Sequence, residues 1–155
     1  MKLWNRFLDR IRSPKAAQIA GEKGKTGSFE ALRGAKYTLL VTHKRSGEPV
    51  PTPVWAGLGE DGKLYIRTES DVAKVKRVRN DPHVKVAPCG SRGQPRGELI
   101  EGRARVVSPD EEERAEQALK AHFGLGRQVY ESTMGAAAGP MVYIEVSPTG
   151  QEVAA

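Results

Sequence analysis

The chain of 155 residues has few of the residues that form disulfides or structural metal sites. Its single cysteine, Cys89, excludes an intramolecular disulfide and a metal site built from several cysteines. No run approaches the roughly 20 apolar residues that a membrane-spanning helix requires, and the N-terminus lacks the apolar stretch of a secretory signal. We therefore expect one globular domain in the cytoplasm that is stabilised by an ordinary apolar core.

Positive charge is concentrated at the N-terminus. The formal net charge is +6, from 25 Lys and Arg against 19 Asp and Glu. Residues 1–28 hold seven basic and two acidic side chains, which leaves 18 against 17 in the remainder. A nucleic-acid-binding domain needs a basic face that neutralises several phosphates. The distribution therefore argues against nucleic acid as a partner.

Residues 1–28 are expected to form an N-terminal amphipathic helix and a linker, ahead of a domain at 29–155. Apolar residues recur at the spacing of a helix, and they are Trp4, Phe7, Leu8 and Ile11. Ser13-Pro14 is expected to end this helix. Residues 16–28 are rich in Gly and Lys without a sustained period, which predicts a mobile linker. The apolar stripe would dock on the domain or on a partner chain, with peripheral contact to an anionic membrane as the alternative.

The domain is expected to be mainly β with flanking helices. Alternating apolar and polar residues predict six strands, at residues 37–42, 49–58, 63–68, 84–89, 98–107 and 141–146. The first three form a meander. Helices are expected at residues 29–33, after a capping Asp71, from residue 109 to about residue 123, and after Gly126.

Several features resemble chemical motifs but lack the context that the chemistry needs. Residues 57–62 (GLGEDG) fit a dinucleotide fingerprint, but a strand is expected to follow, so the glycines are interpreted as hairpin turns. Gly24-Lys25-Thr26 resembles the end of a phosphate-binding loop, yet no strand precedes it. Cys89 has no identifiable His or Asn partner, which favours a small buried side chain. The histidines show no metal-ligand spacing: His43, His83 and His122.

A proline-rich strand segment is the first candidate binding site. Pro51 and Pro53 cannot donate to a strand ladder, so they indicate an edge, a bulge or an unpaired side. Thr52 and Val54 would point to one face and Trp55 to the other. A flat ligand there could meet backbone groups and an aromatic ring, and a core tryptophan is the alternative.

A strand-to-helix segment is the second candidate, and its residue types suit a phosphate. The hydroxyl groups and cations of this segment are Arg67, Thr68, Ser70, Lys74 and Arg77. Hydroxyl donors, charge-assisted contacts and the free N–H groups of a helix start can together hold the anion. A solvated charged face is the alternative.

In their order and spacing these segments resemble the pyridoxamine-phosphate-oxidase-like split β-barrel family. The resemblance covers about residues 29–146 and includes PTPVW at 51–55, LYIRT at 64–68, RNDPHV at 79–84 and VAPC at 86–89. More narrowly, the chain is similar to the deazaflavin (coenzyme F-420)-dependent oxidoreductases of that family. The resemblance implies a homodimer of six-stranded barrels with the cofactor in a groove between the subunits.

The resemblance also implies which residues hold the cofactor. In such proteins the strand matching Val54 and Trp55 runs along the tricyclic ring, and the strand matching Pro88 borders the ring pocket. The segment matching Arg67 to Lys74 holds the phosphate. The implied cofactor-binding residues are Thr52, Val54, Trp55, Arg67, Thr68, Ser70, Lys74, Val75, Arg77 and Pro88.

The implied activity is hydride transfer between reduced coenzyme F-420 and an electron-poor organic substrate such as an enone or a quinone. The protein would bind the cofactor and the substrate, orient them and exclude water from them. No catalytic residue or metal is predicted. Flavin mononucleotide (FMN) is the alternative cofactor, because it also carries a phosphate beside a tricyclic ring. Lys76, Arg77 and Arg79 are candidate contacts for the polyglutamate tail of F-420. A non-catalytic protein that binds flavin, deazaflavin or haem is the other alternative.

Overall fold

Antiparallel strands form most of the computed structural model, which describes residues 13–123 and 140–150. These ranges contain seven strands, three α-helices and two short 3-10 helices, Glu30–Leu32 and Pro109–Glu111. The α-helices are α1 (Pro14–Ala20), α2 (Ala73–Asn80) and α3 (Glu112–Phe123). The strands are β1 (Tyr37–His43), β2 (Pro49–Val54), β3 (Ala56–Leu58), β4 (Leu64–Glu69), β5 (His83–Cys89), β6 (Ile100–Val106) and β7 (Met141–Pro148).

All seven strands belong to one curled sheet, in the order β2-β1-β5-β6-β7-β4-β3. The two edge strands are consecutive along the chain and are separated only by Trp55. Residues 49–58, expected as one strand, are divided there because β2 pairs with β1 whereas β3 pairs with β4. Pro49, Pro51 and Pro53 lie in β2, whose outer side has no ladder partner in the described chain.

The interior of the curled sheet is the main apolar core. Every strand contributes to it, as the predicted alternation requires, with members that include Leu40, Val54, Leu58, Ile66, Val86, Ile100 and Ile144. Helix α2 adds Val75 and Val78 and packs against β1 and β6. The expected cap Asp71 does not begin this helix. Its N-cap is Val72, whose side chain makes no capping hydrogen bond.

The outer faces of the sheet are covered by the other two α-helices. Ala16 and Ala20 of α1 pack on Leu39 and Val41 of β1 and on neighbouring residues of β5. Helix α3 follows the predicted Ser108-Pro109 start and packs its apolar side on β3, β4 and β7. The alternation that places one set of residues inside therefore leaves a second apolar set outside, which the helices bury.

Ser13-Pro14, which was expected to end a helix, begins one in the structure. The side chain of Ser13 accepts a hydrogen bond from the Lys15 N–H at 3.3 Å, and Pro14 occupies the first turn of α1. Proline suits this position because the N–H it lacks would have no partner within the helix. Residues 16–20 are consequently helical, where their composition predicted part of a linker.

Side chains from the sheet hold the rest of this segment in place. Lys85 is 5% exposed, and its ammonium donates to the carbonyl oxygens of Ala20 and Glu22, both at 2.6 Å. Burial lowers the pKa of Lys85, while the charges of Glu101 and Glu22 act in the opposite direction. The N–H of Gly24 donates to Glu101 Oε1 at 2.8 Å. These contacts come from β5 and β6, so the segment's own composition could not reveal them.

The glycine motif forms the β3–β4 hairpin, as its context predicted. The Gly59 N–H donates to the Lys63 carbonyl at 2.9 Å, and the Gly62 N–H donates to the Gly59 carbonyl at 3.0 Å. Gly62 has a φ of +79°, which favours glycine. Gly57 is required for packing, because a Cβ there would lie 2.8 Å from the Leu119 Cα of α3.

Two predicted helices lie outside the described residues: the amphipathic helix of the first 12 residues and the helix after Gly126. Within residues 13–123 and 140–150, no helix is both long and apolar enough to cross a membrane.

Candidate functional site

Val54 and Pro88 lie in one row across three strands, with Thr38 between them. The strand register places Thr38 opposite Val54 of β2 and also opposite Pro88 of β5. Directly opposed residues share a sheet face, so the three side chains line up on the interior face. Thr52 lies one row further along, opposite Leu40. Thr38 was not predicted as a site residue. It is distant from Val54 and Pro88 in the chain, and only the pairing of the strands places it between them.

Trp55 lies on the outer face, as the alternation predicted, within an aromatic cluster. Its ring centroid is 4.9 Å from that of Phe123 and 6.0 Å from that of Tyr37, which it meets edge to face. The Lys36 ammonium is 5.8 Å from the centroids of both Tyr37 and Trp55. Trp55 is only partly buried, so the alternative of a core tryptophan does not apply.

His122 connects this cluster to β3 and to the segment before β1 through its two ring nitrogens. Its Nδ1 accepts a hydrogen bond from the Leu58 N–H at 3.2 Å, and its Nε2 donates to the Ala35 carbonyl at 2.7 Å. These partners assign the ring proton to Nε2. His122 also lies edge-on to Phe123, with centroids 4.6 Å apart. Its partners are backbone atoms distant in sequence, so no local motif indicated this role.

The predicted phosphate segment lies where β4 ends and α2 begins. Strand alternation points Arg67 to the outer face and Thr68 to the interior, where Thr68 is 6% exposed. Glu69 shares the outer face with Arg67 and is 9% exposed. The Ser70 N–H donates to the Pro140 carbonyl at 2.9 Å, and Lys74 is half-buried in the first turn of α2. The hydroxyl-bearing Thr68 and Ser70 and the basic Lys74 therefore lie close together in the chain at the start of α2.

The start of α2 is suited to an anion for a second reason. Its N-cap residue, Val72, has no side-chain acceptor, and its first turn contains no acidic residue. The first N–H groups of a helix lack partners within the helix and carry its positive dipole end. A phosphate placed there would meet these N–H groups and the charge of Lys74.

Three predicted site residues are part of the protein's own packing, and Val54, 6% exposed in the main core, is the first of them. Val75 is fully buried in the core beneath α2. The Arg77 Nε donates to Thr42 Oγ1 at 2.6 Å and so ties α2 to β1. Lys76 and Arg79, the other candidate tail contacts, are exposed on the same helix.

Cys89 is buried, as the sequence predicted. It is 4% exposed, and burial raises the pKa of its thiol to about 12. No cluster of three or more His, Cys, Asp or Glu side chains suited to a metal occurs in the part of the chain that the structure describes.

The family assignment follows from a comparison with known families. The sequence model for pyridoxamine 5'-phosphate oxidase matches residues 28–150. The chain belongs to the pyridoxamine 5'-phosphate oxidase family. The antiparallel curled sheet agrees with the split-barrel fold expected from the resemblance. A comparison with curated proteins finds no significant match.

Solved structures with the same fold have diverse descriptions. A conserved hypothetical protein from Mycobacterium tuberculosis, Rv2991, is 18% identical with a TM-score of 0.56, over 82% of this chain and 84% of its own. An FAD-binding protein from Mesorhizobium loti is 18% identical with a TM-score of 0.55, over 77% and 84%. The haem storage protein HutZ from Vibrio cholerae is 14% identical with a TM-score of 0.55, over 76% and 84%. Similarity at this level shows the fold alone.

Proposed function

We propose that this member of the pyridoxamine 5'-phosphate oxidase family is an oxidoreductase that uses coenzyme F-420, with FMN as the alternative cofactor. The observation that carries the proposal is the β4–α2 junction, where a helix start without a side-chain cap adjoins Thr68, Ser70 and Lys74. Both cofactors carry a phosphate that suits this junction. A phosphate beside a tricyclic ring is the feature that the two cofactors share.

The ring of the cofactor is proposed to lie against the β2–β1–β5 part of the sheet. Val54 and Thr38 are buried in the core there, at 6% and 1% exposed, so the partly exposed Pro88 and Trp55, at the end of their row and at the break between β2 and β3, are the proposed ring contacts. The interior row and Trp55 face opposite sides, so the ring would contact the edge of the sheet rather than one flat face. In the described part of the chain the outer side of β2 has no ladder partner, so its backbone carbonyls are proposed to accept hydrogen bonds from the ring.

The edge of the sheet at β2 is also the proposed homodimer contact. An edge strand presents backbone groups that a second chain can cover, and the prolines of β2 disfavour the simplest strand-to-strand pairing. A structure of the same fold, 17% identical with a TM-score of 0.52 over 72% of this chain and 80% of its own, is described as a domain-swapped dimer. In the proposed dimer the cofactor lies in the groove between subunits.

Two exposed cations favour F-420 over FMN. Lys76 and Arg79 lie on α2 beyond the phosphate junction, and a polyglutamate tail attached near the phosphate would pass them. FMN has no such tail. Each exposed ion pair is worth about 1 kcal/mol or less, so the tail contributes selectivity rather than most of the affinity.

The chemistry that a bound reduced cofactor would supply is hydride transfer to an electron-poor organic acceptor. The contribution of the chain is to hold the phosphate at Lys74 and the helix start, to orient the ring at the β2 edge beside Trp55, and to exclude water from it. No side chain is assigned a proton-transfer step, since solvent can supply the proton.

Equilibrium binding of the full chain to F-420 and to FMN tests the proposal. Lys74→Ala should weaken the binding of both cofactors by about tenfold or more, as expected for loss of a charge-assisted contact. Replacing Lys76 and Arg79 together by Ala should weaken the binding of F-420 and leave the binding of FMN unchanged. Lys120→Ala, an exposed lysine on α3, is the matched control and should change neither affinity.

Substrate-dependent oxidation of the bound reduced cofactor distinguishes an enzyme from a carrier. We expect oxidation with at least one enone or quinone from a panel of acceptors. Unchanged affinities in Lys74→Ala would contradict the phosphate assignment. Tight cofactor binding without oxidation by any acceptor would instead favour a non-catalytic flavin, deazaflavin or haem carrier.

A further inference from the structure

A cavity of about 760 Å³ lies beside the proposed ring site. Arg33, Lys36 and Tyr37 line one side of it, and Pro88 and Arg96 line the other. Its volume lies within the range typical of small-molecule sites, roughly 300–1,000 Å³. Because Pro88 also belongs to the row opposite Thr38, the cavity and the proposed ring site share a wall.

The charge of this cavity has one sign. Among the described residues that line it, three are cations and none is acidic. Arg33 is paired with Glu30 through two hydrogen bonds of 2.8 and 2.9 Å on the exposed side. Lys36 and Arg96 form no ion pair within the described part of the chain. Within residues 13–123 and 140–150, two of the cations that line the cavity therefore have no carboxylate partner.

An aromatic wall adjoins these charges. The Lys36 ammonium is held 5.8 Å from the rings of both Tyr37 and Trp55. Tyr37 and Pro88 both belong to the lining. A planar molecule can lie against the Tyr37 ring while an anionic group at its edge meets Lys36 or Arg96.

We propose that this cavity binds a planar carboxylate, and that enones or quinones bearing a carboxylate on a planar ring system are the hydride acceptors. The hydride would add to the electron-poor C=C or C=O group, its π bond would break, solvent would supply the proton, and the reduced cofactor would be oxidised. The assignment of the ligand as acceptor rests on the proposed function, whereas its binding does not. The shared wall at Pro88 would bring the acceptor next to the cofactor ring. The cations select for the negative charge, and the Tyr37 ring selects for planarity.

Calorimetric titration of the full chain, without cofactor, tests binding at this cavity directly. The probes are 1-naphthoate and its neutral analogue 1-naphthamide, at low ionic strength. The naphthoate should bind more tightly than the amide, and Lys36→Gln and Arg96→Gln should each raise its Kd about three- to tenfold, as expected for loss of a charge-assisted contact in a partly exposed site. Salt at 0.5 M should weaken the binding of the naphthoate and leave the affinity for the amide unchanged.

Arg103→Gln provides the matched control, because Arg103 is exposed on β6 and does not line the cavity. It should bind naphthoate with the wild-type Kd, and circular dichroism should show all three variants folded. Equal binding of acid and amide by the wild type, or wild-type affinity in both cavity variants, would overturn the proposal. Naphthoate binding in a chain that binds neither F-420 nor FMN would support the site and remove the acceptor role together with the proposed function.

Discussion

Replacing Gly57 with alanine should push α3 away from the sheet. A Cβ at this position would lie 2.8 Å from the Leu119 Cα, 2.9 Å from the Ala118 carbonyl oxygen and 3.1 Å from its carbon. All three are backbone atoms of a helix, so no side-chain rotation relieves the contact. Either β3 or α3 must move, and the apolar side of α3 then loses contact with Tyr65 and its neighbours.

The expected cost is that of overpacking a core, about 1–3 kcal/mol in the free energy of unfolding. For a chain of this length each kcal/mol corresponds to about 2–4 °C, so Tm should fall by about 2–12 °C. Thermal unfolding followed by far-ultraviolet circular dichroism measures this fall. In a Trp4→Phe background the emission of Trp55 should also change, since Phe123 at the end of α3 packs on it.

Gly21→Ala is the matched control. Gly21 has a φ of −82° and a ψ of −7°, and a Cβ there would have no atom within 4 Å. Its Tm should stay at the wild-type value or rise slightly, because alanine reduces the freedom of the unfolded chain. If Gly57→Ala unfolds at the wild-type temperature, the close packing of α3 on β3 is refuted.

Two further predictions concern titratable groups. Hydrogen bonds from Arg105 and Ser108 lower the pKa of Glu111 from its ordinary 4.5 to about 2, so its contribution to stability is complete above pH 4.5 and is lost as the pH falls towards 2. Glu111→Gln should flatten the dependence of the urea midpoint on pH in that window, whereas Glu113→Gln should keep the wild-type slope. The buried Cys89, with its pKa near 12, should react with a thiol reagent at pH 8 at least about 100-fold more slowly in the native chain than in urea. Equal rates would show that the thiol is accessible.

Periodicity predicted the strands well wherever one face of a strand is buried by the core. Residues 84–89 and 98–107, for example, correspond to β5 and β6, because alternation follows directly from the two faces of a strand. It misread residues 49–58, since the break at Trp55 arises only when the two halves pair with strands far apart in the sheet.

Composition was a poor guide to residues 16–28. Glycine and lysine indicate flexibility only when no other part of the protein holds them, and here Lys85 and Glu101 do so. Residue type was also a poor guide at Asp71. Aspartate often caps helices, but the N-cap of α2 is Val72. Local preferences are small compared with the contacts that a folded core imposes.

The candidate site shows the same division. The amino-acid sequence by itself determined the alternating faces, the hairpin at the glycine motif and the presence of hydroxyl and basic residues at the β4–α2 junction, because each depends on residues close together in the chain. Only the tertiary structure decided that Thr38 lies between Val54 and Pro88, that His122 joins Leu58 to Ala35, and that Lys36 faces Trp55. These contacts depend on strand register and on sheet curvature, which are set when distant segments pair, and no short stretch of sequence encodes them.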